Sequence, residues 1–138
     1  RIKCEIGGVL PRGEQCSMVV RGRRVSDGLP ACVTVEADEL IPALRGQTED
    51  ILAAICGLIE TAPPELVGDL TETGLVLAGG GARLFGIDRY LSEQLGLETH
   101  IPEEPETCVV QGTSRLLGGL RRMHDGTLNL ARRRQGIV

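Results

Sequence analysis

Apolar positions along this chain follow two rhythms. From Ser17 to Val25 and from Ala31 to Glu36, β-branched residues come in short runs separated by Asp27-Gly-Leu-Pro, which predicts two strands joined by a turn. From Asp38 the spacing becomes helical. Asp38 is placed to cap a helix beginning at Glu39, and Thr48 offers an N-cap hydroxyl to a second helix with Ile51, Ile55, Leu58 and Ile59 on one face. Thr61-Ala-Pro-Pro-Glu stops that helix, and Pro64 suits the first turn of a third one carrying Leu66, Val67 and Leu70. Gly96 is a C-cap, Leu97 to Ile101 is long enough for one short strand, and Thr107 opens a last helix with Val109, Val110, Thr113, Leu116, Leu117 and Leu120 as its apolar positions. Arg1 to Gly8 alternates, with Ile2, Cys4 and Ile6 between charges, and alternation alone favours a strand.

Between the third helix and Gly96 lies the stretch that organises the rest, Gly74 to Leu91. Apolar and small residues run into Gly79, Gly80 and Gly81, after which Leu84, Ile87, Leu91 and Leu95 recur at helical spacing. The pattern reads as buried strand, tight turn and helix. Bare glycine backbone lets a polar or anionic ligand approach N–H groups that a side chain would screen. A turn packed tightly for geometry alone fits the same residues, and the local pattern leaves both readings open.

Composition narrows the chemistry. The 138 residues suffice for one compact domain or two small lobes. With one Phe, one Tyr and no Trp, base-stacking platforms for single-stranded nucleic acid are almost excluded, and a net charge of −4 argues against a general polyanion-binding surface. Arg21, Arg23 and Arg24 are therefore read as a solvated strand face. Five cysteines, odd in number, far apart and without a C-x-x-C pair, support neither a disulfide scaffold nor a zinc module, and point to reduced thiols in cytosol. Residues 121–138 change character: their +4 leaves the body at about −8, and a poorly ordered basic tail is expected there, with Arg132, Arg133 and Arg134 as an option for contact with a membrane surface or acidic partner.

Complete catalytic machinery is not legible. The glycine cluster is neither a Walker loop nor a dinucleotide fingerprint, since Leu84 stands where the third glycine of the latter belongs. His100 and His124 have no partner that sequence can assign, and no serine sits in a G-x-S-x-G elbow. Glu103, Glu104 and Glu106 beside prolines read as a solvated acidic loop rather than an acid/base pair.

A set of ordered motifs resembles one family. Thr73-Gly-Leu-Val-Leu-Ala-Gly-Gly-Gly-Ala-x-Leu-x-Gly-Ile-Asp is similar to the adenosine motif of the actin-like ATPases, and more narrowly of the bacterial rod-shape family MreB/Mbl. Arg1-Ile-Lys-x-Glu-Ile-Gly, Val20-Arg-Gly-Arg, Gly28-Leu-Pro, Thr61-x-Pro-Pro-Glu-Leu and Pro102-Glu-Glu-Pro-Glu-Thr-Cys-Val-x-x-Gly-Thr follow the same family in order, over residues 1 to 120. The Pro102 to Thr113 match disfavours other actin-like ATPases such as sugar kinases or chaperones.

The resemblance implies an α/β chain forming the C-terminal half of an actin-like ATPase fold. Residues 1–58 would be the small lobe of the second domain, and residues 59–120 part of its ribonuclease-H-like lobe with the adenosine motif. It makes Arg1 to Ile6 helical, against their alternation. It carries ATP contacts onto Arg1, Ile2, Lys3, Gly79, Gly80, Gly81, Ala82 and Arg83. Ala78 stands where the family usually has threonine, and Arg83 where it usually has leucine.

The family's phosphate loops, magnesium-coordinating acids and water-activating glutamate are placed before Arg1, so ATP with Mg²⁺ is the cofactor of the longer protein and this segment alone should not hydrolyse it. Expected partners are the N-terminal half, further copies in a filament, a RodZ-type membrane anchor and the inner membrane surface, without nucleic acid. The expected location is cytoplasmic and membrane-associated, and the expected role is control of rod cell shape and cell-wall synthesis. A nucleotide-independent structural or interaction domain is the competing reading.

Overall fold

The structure is a computed structural model that describes residues 1–120. The expected basic tail, residues 121–138, lies outside the described residues. In chain order the elements are α1 (Ile2–Ile6), β1 (Ser17–Arg23), β2 (Pro30–Glu36), α2 (Ala37–Thr61), α3 (Pro64–Thr73), β3 (Leu75–Val76), a 3-10 turn (Gly80–Arg83), α4 (Ile87–Leu95), β4 (Thr99–His100) and α5 (Cys108–Leu120). The alternating segment at the start is helical, as the family resemblance implies and alternation does not. Five residues are too few for burial on one face to show as a period, and an Arg1–Glu5 ion pair of 2.7 Å at helical spacing supports the turn. Glu5's hydrogen bond and charge raise the Arg1 guanidinium above its ordinary value.

β1 and β2 form the expected antiparallel hairpin, with Val20 opposite Val33 and Arg23 opposite Pro30. Its turn is closed by Asp27, which pairs with Arg24 at 2.7 Å and accepts the Leu29 N–H at 3.1 Å. Arg21, Arg23 and Arg24 are all exposed.

The two helices expected between Asp38 and Thr61 are one helix of 25 residues. It begins at Ala37, whose N–H donates to the Cys16 carbonyl at 2.8 Å, so the first turn is satisfied by neighbouring backbone and Asp38 is not its cap. Thr48 is not a cap either. It is 1% exposed, and its hydroxyl donates back to the Leu44 carbonyl at 3.0 Å, a mid-helix bond that lets a polar residue sit inside without breaking the ladder. The inner face is Leu44, Thr48, Leu52, Ile55 and Ile59, while Ile51 and Leu58 point outward, so the face drawn through Ile51 and Leu58 is corrected by rotation of about one residue.

α3 starts at Pro64 as expected and ends at Gly74. β3 and β4 are short and parallel, Leu75 opposite Thr99 and Val76 opposite His100, with α4 in the crossover between them. The helix expected straight after Ala82 starts later, at Ile87. Residues 80–83 wind as a 3-10 turn, Leu84 is extended, and Gly86 (φ 76°) adopts a left-handed conformation that separates the turn from α4. A Cβ there would also come within 2.9 Å of Leu10. Gly96 caps α4 as expected.

The core lies where α4 meets α2 and the loop after α1. Val9, Ile87, Tyr90 and Leu91 are buried together, packed round by Leu10, Leu44, Leu52, Ile55, Leu77, Leu84, Leu95 and Ile101. Elsewhere apolar faces stay uncovered: Leu66 on α3 and Val109, Val110, Leu116 and Leu117 on α5 are more than half exposed. Among the described residues, no helix is long and apolar enough to cross a membrane.

Candidate functional site at the glycine turn

Two other parts of the chain converge on the glycine turn. α1 is brought in by a parallel bridge between Gly8 and Phe85, in which the Val9 N–H donates to the Phe85 carbonyl (2.9 Å) and the Phe85 N–H to the Gly7 carbonyl (3.2 Å). The acidic loop after β4 is brought in by the Gly79 N–H, which donates to the Pro105 carbonyl at 2.6 Å. The turn itself closes through Ala82 N–H to the Gly79 carbonyl (3.2 Å) and Leu84 N–H to the Gly81 carbonyl (3.1 Å).

What the glycines are for can be read from the space around them. Among the described residues, and apart from its own chain neighbours, a Cβ at Gly79 or Gly81 would meet nothing within 4 Å, and one at Gly80 would meet Glu106 Oε1 at an ordinary 3.8 Å. Gly79 needs its lack of a side chain for its backbone, with φ 89°, but Gly80 and Gly81 do not need it for internal packing. Compare Gly74, where a Cβ would collide with the Glu98 carbonyl. The tight-packing explanation therefore accounts for Gly74 and not for the two glycines at the exposed surface of the turn.

That surface opens on a cavity of about 340 Å³, lined by Lys3 and Cys4 of α1, by Gly80, Arg83 and Leu84, and by Glu106. The volume falls at the lower end of small-molecule sites. Arg83 and Glu106 face each other at 3.0 Å, both largely exposed. The first N–H groups of a helical turn have no acceptor within it, which leaves those of Gly80 and Gly81 free of intrahelical bonds.

Of the residues singled out from sequence, Lys3, Gly80 and Arg83 line this cavity, and Gly79 and Gly81 flank it in the same turn. Ala82 is buried, so its side chain faces the interior. Arg1 and Ile2 line a different groove, which Lys3 shares, against Met18, Val19, Val20 and Arg21 of β1. Cys4, Leu84 and Glu106 were not singled out. Glu106 is exposed as a solvated loop residue should be, but the loop is built rather than loose: Pro105 is buried, and Glu104 accepts hydrogen bonds from Thr107 Oγ1 and Gln111 Nε2, both at 2.7 Å. The three-residue spacing of Glu104 and Thr107 at a helix start was the available signal.

Arg12 fastens the site from behind. Its Nη2 donates to the Gly7 carbonyl at 3.3 Å and its guanidinium lies 4.6 Å from the Phe85 ring centroid, so one side chain grips the end of α1 and the exit of the turn. Among the described residues its buried Nε has no hydrogen-bond partner, a cost that offsets part of the gain. Arg12→Ala should lower stability by about 1 kcal/mol, measured as a shift of the urea midpoint, with Arg12→Lys recovering part of the loss through its retained cation.

Comparison with known proteins bears on what this site belongs to. The model of the MreB/Mbl protein family matches residues 1–125. The chain belongs to the MreB/Mbl family. It is 40% identical over 128 residues to the cell shape-determining protein MreB of Escherichia coli K12, covering 93% of this chain and 37% of that one. It is 38% identical over 122 residues to the cell shape-determining protein Mbl of Bacillus cereus, covering 88% and 37%. MreB5 of Spiroplasma citri, solved bound to ADP, superposes with a TM-score of 0.82 at 30% identity, over 88% of this chain and 37% of MreB5. The double helical filament of MamK shares the fold, with a TM-score of 0.61 at 24% identity over 76% of this chain and 32% of MamK. The fold is thus part of the actin-like one, and the chain spans little more than a third of the length of the MreB/Mbl relatives it matches.

Proposed function

We propose that this chain is the nucleotide-binding C-terminal half of an MreB-type actin-like cytoskeletal protein, with the glycine turn as one wall of an ATP site. The observation that carries the proposal is the open turn: Gly80 and Gly81 lack side chains where no packing among the described residues requires it, and the space they leave joins a cavity bordered by α1. Lys3, Gly79, Gly80, Gly81 and Arg83 would contact the adenosine side of the nucleotide, with Arg1, Ile2 and Ala82 supporting them through α1 and the buried end of the turn. In support, the 30% identical MreB5 of Spiroplasma citri has been solved with ADP and with AMPPNP.

On this reading the chain divides into a small lobe, residues 1–58, and part of a ribonuclease-H-like lobe, residues 59–120. The phosphate loops and the catalytic acids belong to the other half of the polypeptide. Mg²⁺ would be held with the phosphates by that half, as the family resemblance implies. The uncovered apolar residues of α3 and α5 fit a chain that packs against more protein. The whole would be a cytoplasmic ATPase forming membrane-associated filaments, through a RodZ-type anchor, that control rod shape and cell-wall synthesis.

Sedimentation of the complete polypeptide with and without ATP and Mg²⁺, with phosphate release followed in the same samples, tests this. Nucleotide-dependent pelleting with hydrolysis is expected. Pelleting or partner binding indifferent to nucleotide would instead favour a structural interaction domain whose glycine turn meets another protein surface.

A further inference from the structure

We propose that Arg12 is a positioning residue for the nucleotide: without lining the cavity, it holds α1 against the exit of the glycine turn and so sets the distance between the two walls that the ligand must fit. This deepens the nucleotide-binding reading and rests on it.

The cavity takes its walls from two elements. Lys3 and Cys4 come from α1, and Gly80, Arg83 and Leu84 from the turn and its exit, so its width depends on how α1 is joined to the turn. A helix of five residues does little to fix its own position. The joint centres on one atom, the Gly7 carbonyl just past the end of α1, which accepts both the Phe85 N–H at 3.2 Å and Arg12 Nη2 at 3.3 Å. Backbone approaches closely here. A Cβ at Gly8 would stand 3.2 Å from Phe85 Cβ and 3.3 Å from the Phe85 carbonyl oxygen.

Arg12 spans this joint. It belongs to the loop after α1, and its guanidinium lies over the ring of Phe85, at the exit of the turn, 4.6 Å from the centroid, so one side chain ties both sides. Arg89 lies over the same ring at 5.1 Å, but it stands on α4, on the turn's own side of the joint. Fold stability alone is a poor reason for Arg12. Among the described residues its buried Nε has no hydrogen-bond partner, and an unpaired buried donor costs about as much as a hydrogen bond gains. Binding gains where stability does not, because walls already held at the spacing of the complex spare the ligand the cost of ordering them.

The test is a set of dissociation constants for adenosine, ADP and ATP in the complete polypeptide, with hydrogen exchange at the Val9 and Phe85 amides, which donate across the joint. Arg12→Ala should weaken all three ligands by one common factor of about threefold, since they share the adenosine end. Arg12→Lys, which keeps a cation and a donor, and Arg89→Ala should both stay within about 1.5-fold of wild type. Phe85→Leu, which removes the ring and carries the test if Arg12→Ala does not fold, should repeat the loss, and joining it to Arg12→Ala should cost nothing more. Without ligand, Arg12→Ala should speed exchange at Val9 and Phe85 more than at Leu91 of α4, and saturating ADP should restore it.

Unchanged dissociation constants in Arg12→Ala or Phe85→Leu, with wild type binding normally, would overturn the inference and leave Arg12 a stabilising residue only. An equal loss in Arg89→Ala would overturn it in favour of packing on the ring, and equal speeding at Val9, Phe85 and Leu91 in favour of a loosened core. Losses that grow from adenosine to ATP would overturn it in favour of the missing charge. Wild type that binds none of the three would overturn the underlying reading and this inference together.

Discussion

Gly80→Asp in the complete polypeptide is expected to weaken ATP binding by more than about a hundredfold while leaving the fold intact. The new side chain would enter the cavity from the turn, beside Glu106, in the space that the adenosine side of the ligand needs, and a carboxylate shut in there without a partner costs several kcal/mol. Folding should be spared for the same geometric reason. A Cβ at Gly80 meets only the flexible end of Glu106 at 3.8 Å, and the backbone there is not in the left-handed region, so an exposed substitution of this kind should fall within about 0.5 kcal/mol of wild type. Titration of a fluorescent ATP analogue reads the first quantity and a urea melt the second. Retained nucleotide affinity with a normal melt would remove the glycine turn from the site. If assembly depends on bound nucleotide as proposed, pelleting by ATP should disappear in the same variant.

The glycine turn was visible in sequence because three successive glycines are a local signal, and so were the hairpin, the Pro64 helix start and the Gly96 cap, each fixed by the chemistry of adjacent residues. What sequence did not disclose is set by tertiary packing. Thr48 carries a side chain common at helix starts, but it is buried against the core with its hydroxyl bonded back to Leu44, inside a continuous α2. α4 starts late, after Gly86, which is left-handed at φ 76° and where a Cβ would meet Leu10, a residue distant in sequence. The second half of the candidate site was hidden in the same way. Cys4 and Glu106 reach the cavity through the Gly8–Phe85 bridge and the Gly79–Pro105 hydrogen bond, neither of which has a sequence signature. Arg1 and Ile2, carried over from the family motif with Lys3, stand at the N-cap and first residue of a short helix and line the groove toward β1. The apolar period of α5 predicted a helix correctly but not its surroundings, since Val109, Val110, Leu116 and Leu117 are exposed in this chain.

Leu91→Ala should be the most damaging single truncation, lowering the stability of the complete polypeptide by about 3 kcal/mol, within the range for fully buried leucines. Leu91 is 0% exposed and sits between Val9, Ile87 and Tyr90, with Leu44 and Leu52 of α2 nearby, so its removal leaves a hole where α4 meets α2. Few fully buried apolar side chains share this core, and Tyr90 is held beneath Arg45, which restricts collapse into the space. The consequence reaches the site, because α4 and the 3-10 turn are joined through Leu84, Phe85 and Gly86, and a loosened α4 releases the turn from α1. Leu117→Ala is the informative partner experiment. Leu117 is 60% exposed here, and truncating a side chain so exposed should shift stability by no more than about 0.5 kcal/mol. If the other half of the polypeptide covers α5, the same truncation should cost about 2 kcal/mol or more, as burial of a leucine side chain requires. Urea midpoints of the two variants, measured side by side in the complete polypeptide, therefore report both on the core of this chain and on whether its uncovered helix is an internal interface. A Leu91→Ala shift below about 1 kcal/mol would contradict the packing described for α4.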